Sequence, residues 1–100
     1  RHVKVDESLD RYIVQIAKST RTSQLVDLGL SPRGTLALRR AVQSWAFASD
    51  RTYVIPDDIK DVAPYVIAHR LRLRGHYNGN ANQAAQSIVD ELVNQIPVPS

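Results

Sequence analysis

Apolar residues recur along this chain at the spacing of an α-helix, and they do so in four separate stretches. The pattern is cleanest near the end. There Ala84, Ala85, Ile88, Val89, Leu92, Val93 and Ile96 share one face and Pro97 closes the run, which predicts a helix from about Ala81 to Gln95. A first helix is predicted from about Glu7 to Thr20, with Leu9, Tyr12, Ile13, Ile16 and Ala17 as its buried stripe. Asp6 can cap it, and Asp6, Glu7 and Asp10 suit the positive end of its dipole. Ser31-Pro32 reads as an N-cap followed by proline at the first helical position, opening a second helix that reaches about Ser49. Leu38, Ala41, Val42, Trp45 and Ala46 form its stripe, while Leu36, Ala37, Phe47 and Ala48 broaden it. A helix apolar on most sides is expected at the centre of a bundle. Pro56-Asp57-Asp58 opens a third helix with Ile59, Val62, Ala63, Val66 and Ile67 inward, which Pro64 is expected to kink or split.

The connecting segments are short. Arg21 to Leu30 holds Leu25, Val26, Leu28 and Leu30, too apolar for a free loop. It is expected to pack across the domain and to end at Gly29, a residue that tolerates unusual backbone angles. Thr52 to Ile55 is β-branched and aromatic, and Leu71 and Leu73 alternate with Arg70, Arg72 and Arg74. Both pieces read as short extended elements that could pair with each other. Residues 75–79 (GHYNG) form a turn signal. The phases of Trp45 and Tyr53 place both in the core. The expected fold is therefore mostly α, a four-helix bundle with at most a pair of very short strands.

With 100 residues there is room for one core, so residues 1–100 are expected to be a single domain. No apolar run approaches the ~20 residues of a membrane span, and the start lacks the apolar stretch of a signal peptide. Cysteine is absent, which removes disulfides and thiolate chemistry and fits a cytoplasmic location. Methionine is absent too, so the Arg1-His2-Val3 opening reads as a piece of a longer chain.

The chemistry the sequence omits narrows its function. There is no GxxxxGK[ST] loop to cradle a triphosphate and no HExxH pair to hold a metal; His2, His69 and His76 are scattered. Asp57-Asp58 suits a helix start better than acid–base work, and no nucleophile motif surrounds any serine. An autonomous enzyme is not supported. Lys plus Arg number 13 against 10 acids, a net charge of +3 that is small for a nucleic-acid binder, and neither half forms a basic arm.

One local arrangement carries a mechanism. In Gly29-Leu30-Ser31-Pro32-Arg33-Gly34, Arg33 falls in the first turn of a helix, beside unpaired N–H groups that attract an anion such as phosphate. The competing reading is a surface arginine at a helix start, and spacing alone leaves both open. Arg70, Arg72 and Arg74 are either phosphate or neighbour contacts or the solvated side of a strand. One of Arg39 and Arg40 must face outward.

The run that begins at Leu28 with LGLSPRG, continues through an alanine-rich helix and RTYVIPDDI, and closes with VIAHR resembles the lid domain found C-terminal to the core in MoxR-family AAA+ ATPases. Val5-Asp6 to Thr20-Arg21 and the Ile96-Pro97-Val98-Pro99 ending resemble the same family, so the likeness covers nearly the whole chain. The resemblance implies a lid that folds over ATP and Mg2+ held by a separate α/β core, with Arg33 as the sensor-2 arginine reaching the γ-phosphate and Ser31 and Pro32 setting the helix start that aims it. A bidentate arginine supplies the fixed positive charge that phosphoryl transfer needs, and a moving lid couples nucleotide state to domain angle. The resemblance further implies a parent ATPase that forms a ring, expected to be a hexamer. It would remodel or mature a protein client in the manner of a chaperone, with partners carrying von Willebrand factor A domains and neither nucleic acid nor membrane among them. No metal site is implied on this chain, and the fragment alone is not catalytic.

Three positions depart from the family pattern. Gly34 stands where alanine is usual and is expected to weaken the helix start, Asp50 stands where glycine is usual, and Ile55 replaces a threonine cap and leaves the third helix without a side-chain N-cap. Two other classes remain: a DNA-binding helical module, histone-fold-like or helix-turn-helix, since the PDDI helix start also resembles the last helix of a histone fold, and an adaptor bundle with no nucleotide role.

Overall fold

The computed structural model describes residues 2–75 and 80–99. Its elements are α1 (Glu7–Thr22), β1 (Val26–Leu28), α2 (Pro32–Ala48), α3 (Pro56–Ala68), β2 (Arg72–Leu73) and α4 (Ala81–Gln95). The expected fold class is the observed one: four helices and one pair of very short strands. Apart from Gly75, which takes the left-handed φ of +89°, the turn expected over 75–79 lies outside the described residues.

The start of α1 follows its sequence signal. The Asp6 carboxylate accepts from the Ser8 N–H at 3.1 Å and from the Ser8 hydroxyl at 2.6 Å, bonds that hold it below the usual carboxylate range. The buried stripe of α1 is the predicted one, Leu9, Tyr12, Ile13, Ile16 and Ala17, extended by Thr20.

The centre of the bundle belongs to α3 rather than α2, because α3 packs against α2 on one side and α4 on the other. The reason lies in α2 itself. Its buried residues are Gly34, Leu38, Val42 and Ala46, a narrow stripe at every fourth position, and Trp45, one residue (about 100°) away from Ala46, turns out to solvent. Trp45 is 48% exposed, and Leu36, Phe47 and Tyr53 are also exposed, so the expectation that Trp45 and Tyr53 are core residues is corrected. Pro64 does not split α3, which runs unbroken from Pro56 to Ala68; the proline simply lacks the N–H that would have bonded one turn back.

The extended pieces pair differently from the expectation. β2 joins β1, antiparallel, with Val26 opposite Leu73 and Leu28 opposite Arg72. The Thr52–Ile55 segment instead meets the N-terminal arm in a parallel bridge: Lys4 N–H donates to the Thr52 carbonyl at 2.8 Å and Val54 N–H to the Lys4 carbonyl at 2.9 Å. Gln43 of α2 donates to the Val3 carbonyl at 2.8 Å, so Val3 is fixed in the core from two sides.

The turn into α3 is built on one ion pair. Asp50 takes φ +61°, the left-handed conformation that aspartate tolerates. The next residue, Arg51, grips the Asp58 carboxylate with both terminal nitrogens, and one oxygen of that carboxylate also accepts the Ile55 N–H at 2.9 Å. Asp58 thus does what Ile55 cannot, tying the helix start back from the N3 side. Its side chain is 2% exposed against 22% for Arg51. Burial alone would raise the Asp58 pKa, but the hydrogen bonds from Arg51 and from the Ile55 N–H, with the charge of Arg51, outweigh it and hold the carboxyl below its usual range.

Two predictions follow from these buried groups. A carboxyl with a depressed folded pKa stabilises the fold fully above its unfolded pKa near 3.8, and that stabilisation is lost as pH falls through the lower folded value. The urea midpoint is therefore expected to fall below about pH 4 in the native chain. Asp58→Asn should already be destabilised by about 3 kcal/mol at pH 7 and show a flatter acid limb. The second concerns Tyr12, fully buried with a hydroxyl that has no partner among the described residues. Tyr12→Phe removes that orphan group and is expected to leave stability unchanged or raise it by up to about 1 kcal/mol in the same urea titration.

Candidate functional site

The α2 start is positioned from behind by the end of α1. Leu30 is fully buried, so both polar groups of its backbone need partners inside the protein. Its N–H donates to the buried Thr20 hydroxyl at 2.9 Å, which itself donates to the Ala17 carbonyl at 2.6 Å; its carbonyl accepts from Arg21 Nε at 2.8 Å. Gly29 makes this approach possible. A Cβ there would lie 2.8 Å from the Arg21 backbone, so Gly29 is required by close packing rather than by an unusual backbone angle.

From that anchored residue the helix opens as the sequence predicts. Ser31 is the N-cap, its hydroxyl accepting from the Gly34 N–H at 3.0 Å and its carbonyl from the Thr35 N–H at 2.8 Å. Pro32 follows at the first helical position and has no N–H to satisfy. Arg33 comes next, exposed, its side chain without a hydrogen bond or ion pair among the described residues. Its backbone N–H, an orphan of the first turn, points out of the same helix end. The three residues singled out in the sequence, Ser31, Pro32 and Arg33, therefore stand together as cap, first position and projecting cation. A cation here is opposed by the helix dipole, and a bound anion would reverse the balance.

Gly34 is not a weak point of this start. It is buried, and a Cβ on it would sit 2.5 Å from Leu30 Cδ1 and 3.2 Å from Arg70 Cδ. The first turn of α2 lies directly on Leu30, and the stem of Arg70 crosses it. Arg21, Arg33 and Arg70 thus stand at one helix end, and among the described residues only the Arg21 side chain of the three makes a hydrogen bond.

The remaining candidate arginines divide. Arg39 pairs with Asp10 of α1 (2.7 Å from Nε), while Arg40 faces outward as the expectation required. Arg74 lies 3.7 Å from Asp27 across the β1–β2 pair, and Arg72 is exposed beside half-buried Leu71 and Leu73. Among the described residues no group of His, Asp and Glu could hold a metal ion, and no helix is long and apolar enough to cross a membrane. Sequence reasoning missed Thr20, Arg21 and the Arg51–Asp58 pair. Arg51 and Asp58 both stand in the RTYVIPDDI run, but their pairing depends on the left-handed turn at Asp50, which spacing does not reveal.

Residues 18–92 match the family of AAA lid domains. This chain belongs to that family. Related proteins make the affiliation more specific. The lid domain is 41% identical over 99 residues to YeaC, a Bacillus subtilis protein of uncharacterised function, covering 99% of this chain and 31% of that protein. It is 34% identical over 76 residues to the protein MoxR of Methylorubrum extorquens (76% of this chain, 22% of that one), and 33% identical over 100 residues to the chaperone MoxR1 of Mycobacterium tuberculosis (91% and 26%). Among solved structures, a candidate ATPase from Cytophaga hutchinsonii superposes with a TM-score of 0.79 at 26% identity, covering 98% of this chain and 32% of that one. The lid domain thus spans about a third or less of the length of these relatives. The MoxR resemblance read from the sequence is borne out.

The packing around Gly34 gives a prediction of unusual sign. Alanine is the better helix former by up to ~1 kcal/mol, yet Gly34→Ala is expected to destabilise the lid domain by about 1–3 kcal/mol, because Leu30 is enclosed and cannot withdraw. Chemical denaturation of the two proteins checks this.

Proposed function

We propose that this lid domain works in a MoxR-type AAA+ ATPase, supplying Arg33 as the sensor-2 arginine to ATP bound with Mg2+ on a separate α/β core. The observation that carries the reading is the state of Arg33: a cation without a partner among the described residues, set against the helix dipole, on a helix start held by Thr20, Arg21 and Leu30. An arginine so placed lacks the one thing that would make its position favourable, and a phosphate supplies it. Ser31 and Pro32 fix the first turn, so the guanidinium is carried on a rigid element.

ATP brings a γ-phosphoryl group whose transfer spreads negative charge over its oxygens, and Arg33 meets that charge when the lid closes. Because the arginine and the helices move as one body, loss of the γ-phosphate would release the lid and change the angle between domains. The parent protein would use that motion, as a cytoplasmic ring, expected to be a hexamer, to remodel or mature a protein client. Partners with von Willebrand factor A domains fit this role. The charge distribution does not favour the DNA-binding alternative: the exposed arginines are spread over α1, α2 and the stretch around β2 rather than gathered on one helix, and membership of the AAA lid family supports a nucleotide-driven machine.

Steady-state ATP turnover by the full-length protein carrying this lid tests the reading. Arg33→Ala, at matched stability, is expected to lower turnover by about tenfold or more, with Arg33→Lys recovering part of the loss. Turnover unchanged in Arg33→Ala would leave Arg33 as a surface residue of the helix cap.

A further inference from the structure

The exposed aromatic residues of α2 and α3 do not belong to the Arg33 site. Trp45 stands twelve residues beyond Arg33, roughly 18 Å along the α2 axis, so the two cannot serve one phosphate. With Asp61, Val62 and Tyr65 of α3, Trp45 lines an open cleft of about 480 Å³. Tyr65 is 63% exposed, and Asp61 makes no hydrogen bond or ion pair among the described residues.

The charges beside these rings are informative. Asp57, Asp61 and Tyr65 fall at i, i+4 and i+8 on the exposed face of α3, so two carboxylates repel each other on one stripe. Asp57 is excused by its place in the first turn, where the helix dipole favours it; Asp61 is not. Across Tyr65 a second cleft, between α3 and α4, holds Asp61 again together with Asp90, with Lys60 as its one cation. In a chain of net charge +3, Asp61 thus stands without an ion pair among the described residues beside two exposed aromatic rings, while Asp90 and Lys60 line the cleft on the far side of Tyr65. Aromatic faces with an adjacent carboxylate form the chemical complement of a guanidinium or ammonium group, through the ring quadrupole and direct charge pairing together.

We propose that the Trp45–Asp61–Tyr65 cleft is a docking site for a partner protein segment that presents an arginine side chain, or a lysine in its place. Its cation is seated against the two aromatic rings and paired with the Asp61 carboxylate. Val62 forms the apolar floor on which the aliphatic stem of that side chain rests. The site does not rest on the role assigned to Arg33, and it would stand if Arg33 were only part of a helix cap.

The chain provides its own reporter, because Trp45 is its single tryptophan. Trp45 fluorescence is followed while a short glycine–serine peptide carrying two arginines is added, then the same peptide with citrulline, which keeps the shape and removes the charge. The expected result is a saturable change with the arginine peptide, about tenfold weaker with citrulline, weakened by salt, and reduced about tenfold by Asp61→Asn and by Tyr65→Ala. Both substitutions are at exposed positions, and the arginine–citrulline comparison needs no variant at all. Equal responses to the two peptides, or a response unchanged in Asp61→Asn, would overturn the proposal in favour of a merely apolar groove. No saturable response to either peptide would overturn it outright. Emission that depends on protein concentration alone, with self-association in sedimentation, would assign the cleft to a second copy of the chain.

Discussion

The arrangement of this domain depends on how one buried backbone is satisfied. Leu30 lies between the end of α1 and the start of α2 with no access to water, and its amide and carbonyl are met by the Thr20 hydroxyl and the Arg21 guanidinium. Leaving either group unmet in such a place would cost about 1–3 kcal/mol, a large fraction of the stability of a domain this size. The bonds also set direction. With Leu30 fixed, Ser31 has one way to cap, Pro32 one way to begin, and Arg33 one end of the helix from which to project. A local answer to a desolvation problem thereby determines where the exposed Arg33 stands.

Much of this was legible before any coordinates. The helices were readable because their stripes are periodic over three or four turns: Leu9 to Ala17 and Ala85 to Val93 bury as their spacing requires, and the Asp6 and Ser31 caps sit where short polar side chains precede apolar runs. Arg33 was readable for the same reason, since Ser-Pro at a helix start fixes the position of the residue after it. The failures have a common cause. Strands of two and three residues carry too few alternations to reveal a partner, so the sequence allows the Arg70–Arg74 stretch to pair with Thr52–Ile55 where Val26–Leu28 takes it. Trp45 lies beside the buried stripe rather than on it, and hydrophobicity without a neighbour's outline cannot tell those places apart.

Side-chain partnerships were the least visible. Asp58 looked like a dipole-complementing acid, and nothing in local spacing says that the Asp50 turn swings Arg51 onto it. Thr20 marked only the end of a helix in the sequence, yet it is fully buried and its hydroxyl receives the Leu30 N–H. Gly34 suggested a loosened helix, and only the position of Leu30 and Arg70 shows a tight one. In each case the deciding atom comes from another element, or from across a turn.

The parallel bridge between Lys4 and the segment before α3 has a mechanical side. Its two hydrogen bonds lie across the direction of the arm, so a tug on the chain near Val3 loads both at once in shear rather than peeling them in turn. The tug is then delivered to Thr52 and Val54, next to the left-handed Asp50 and the clasped Arg51, and so to the base of the central helix. The arm is thereby tied by backbone bonds to the segment that leads into α3, so the two ends of that tie, far apart in sequence, are held as one piece.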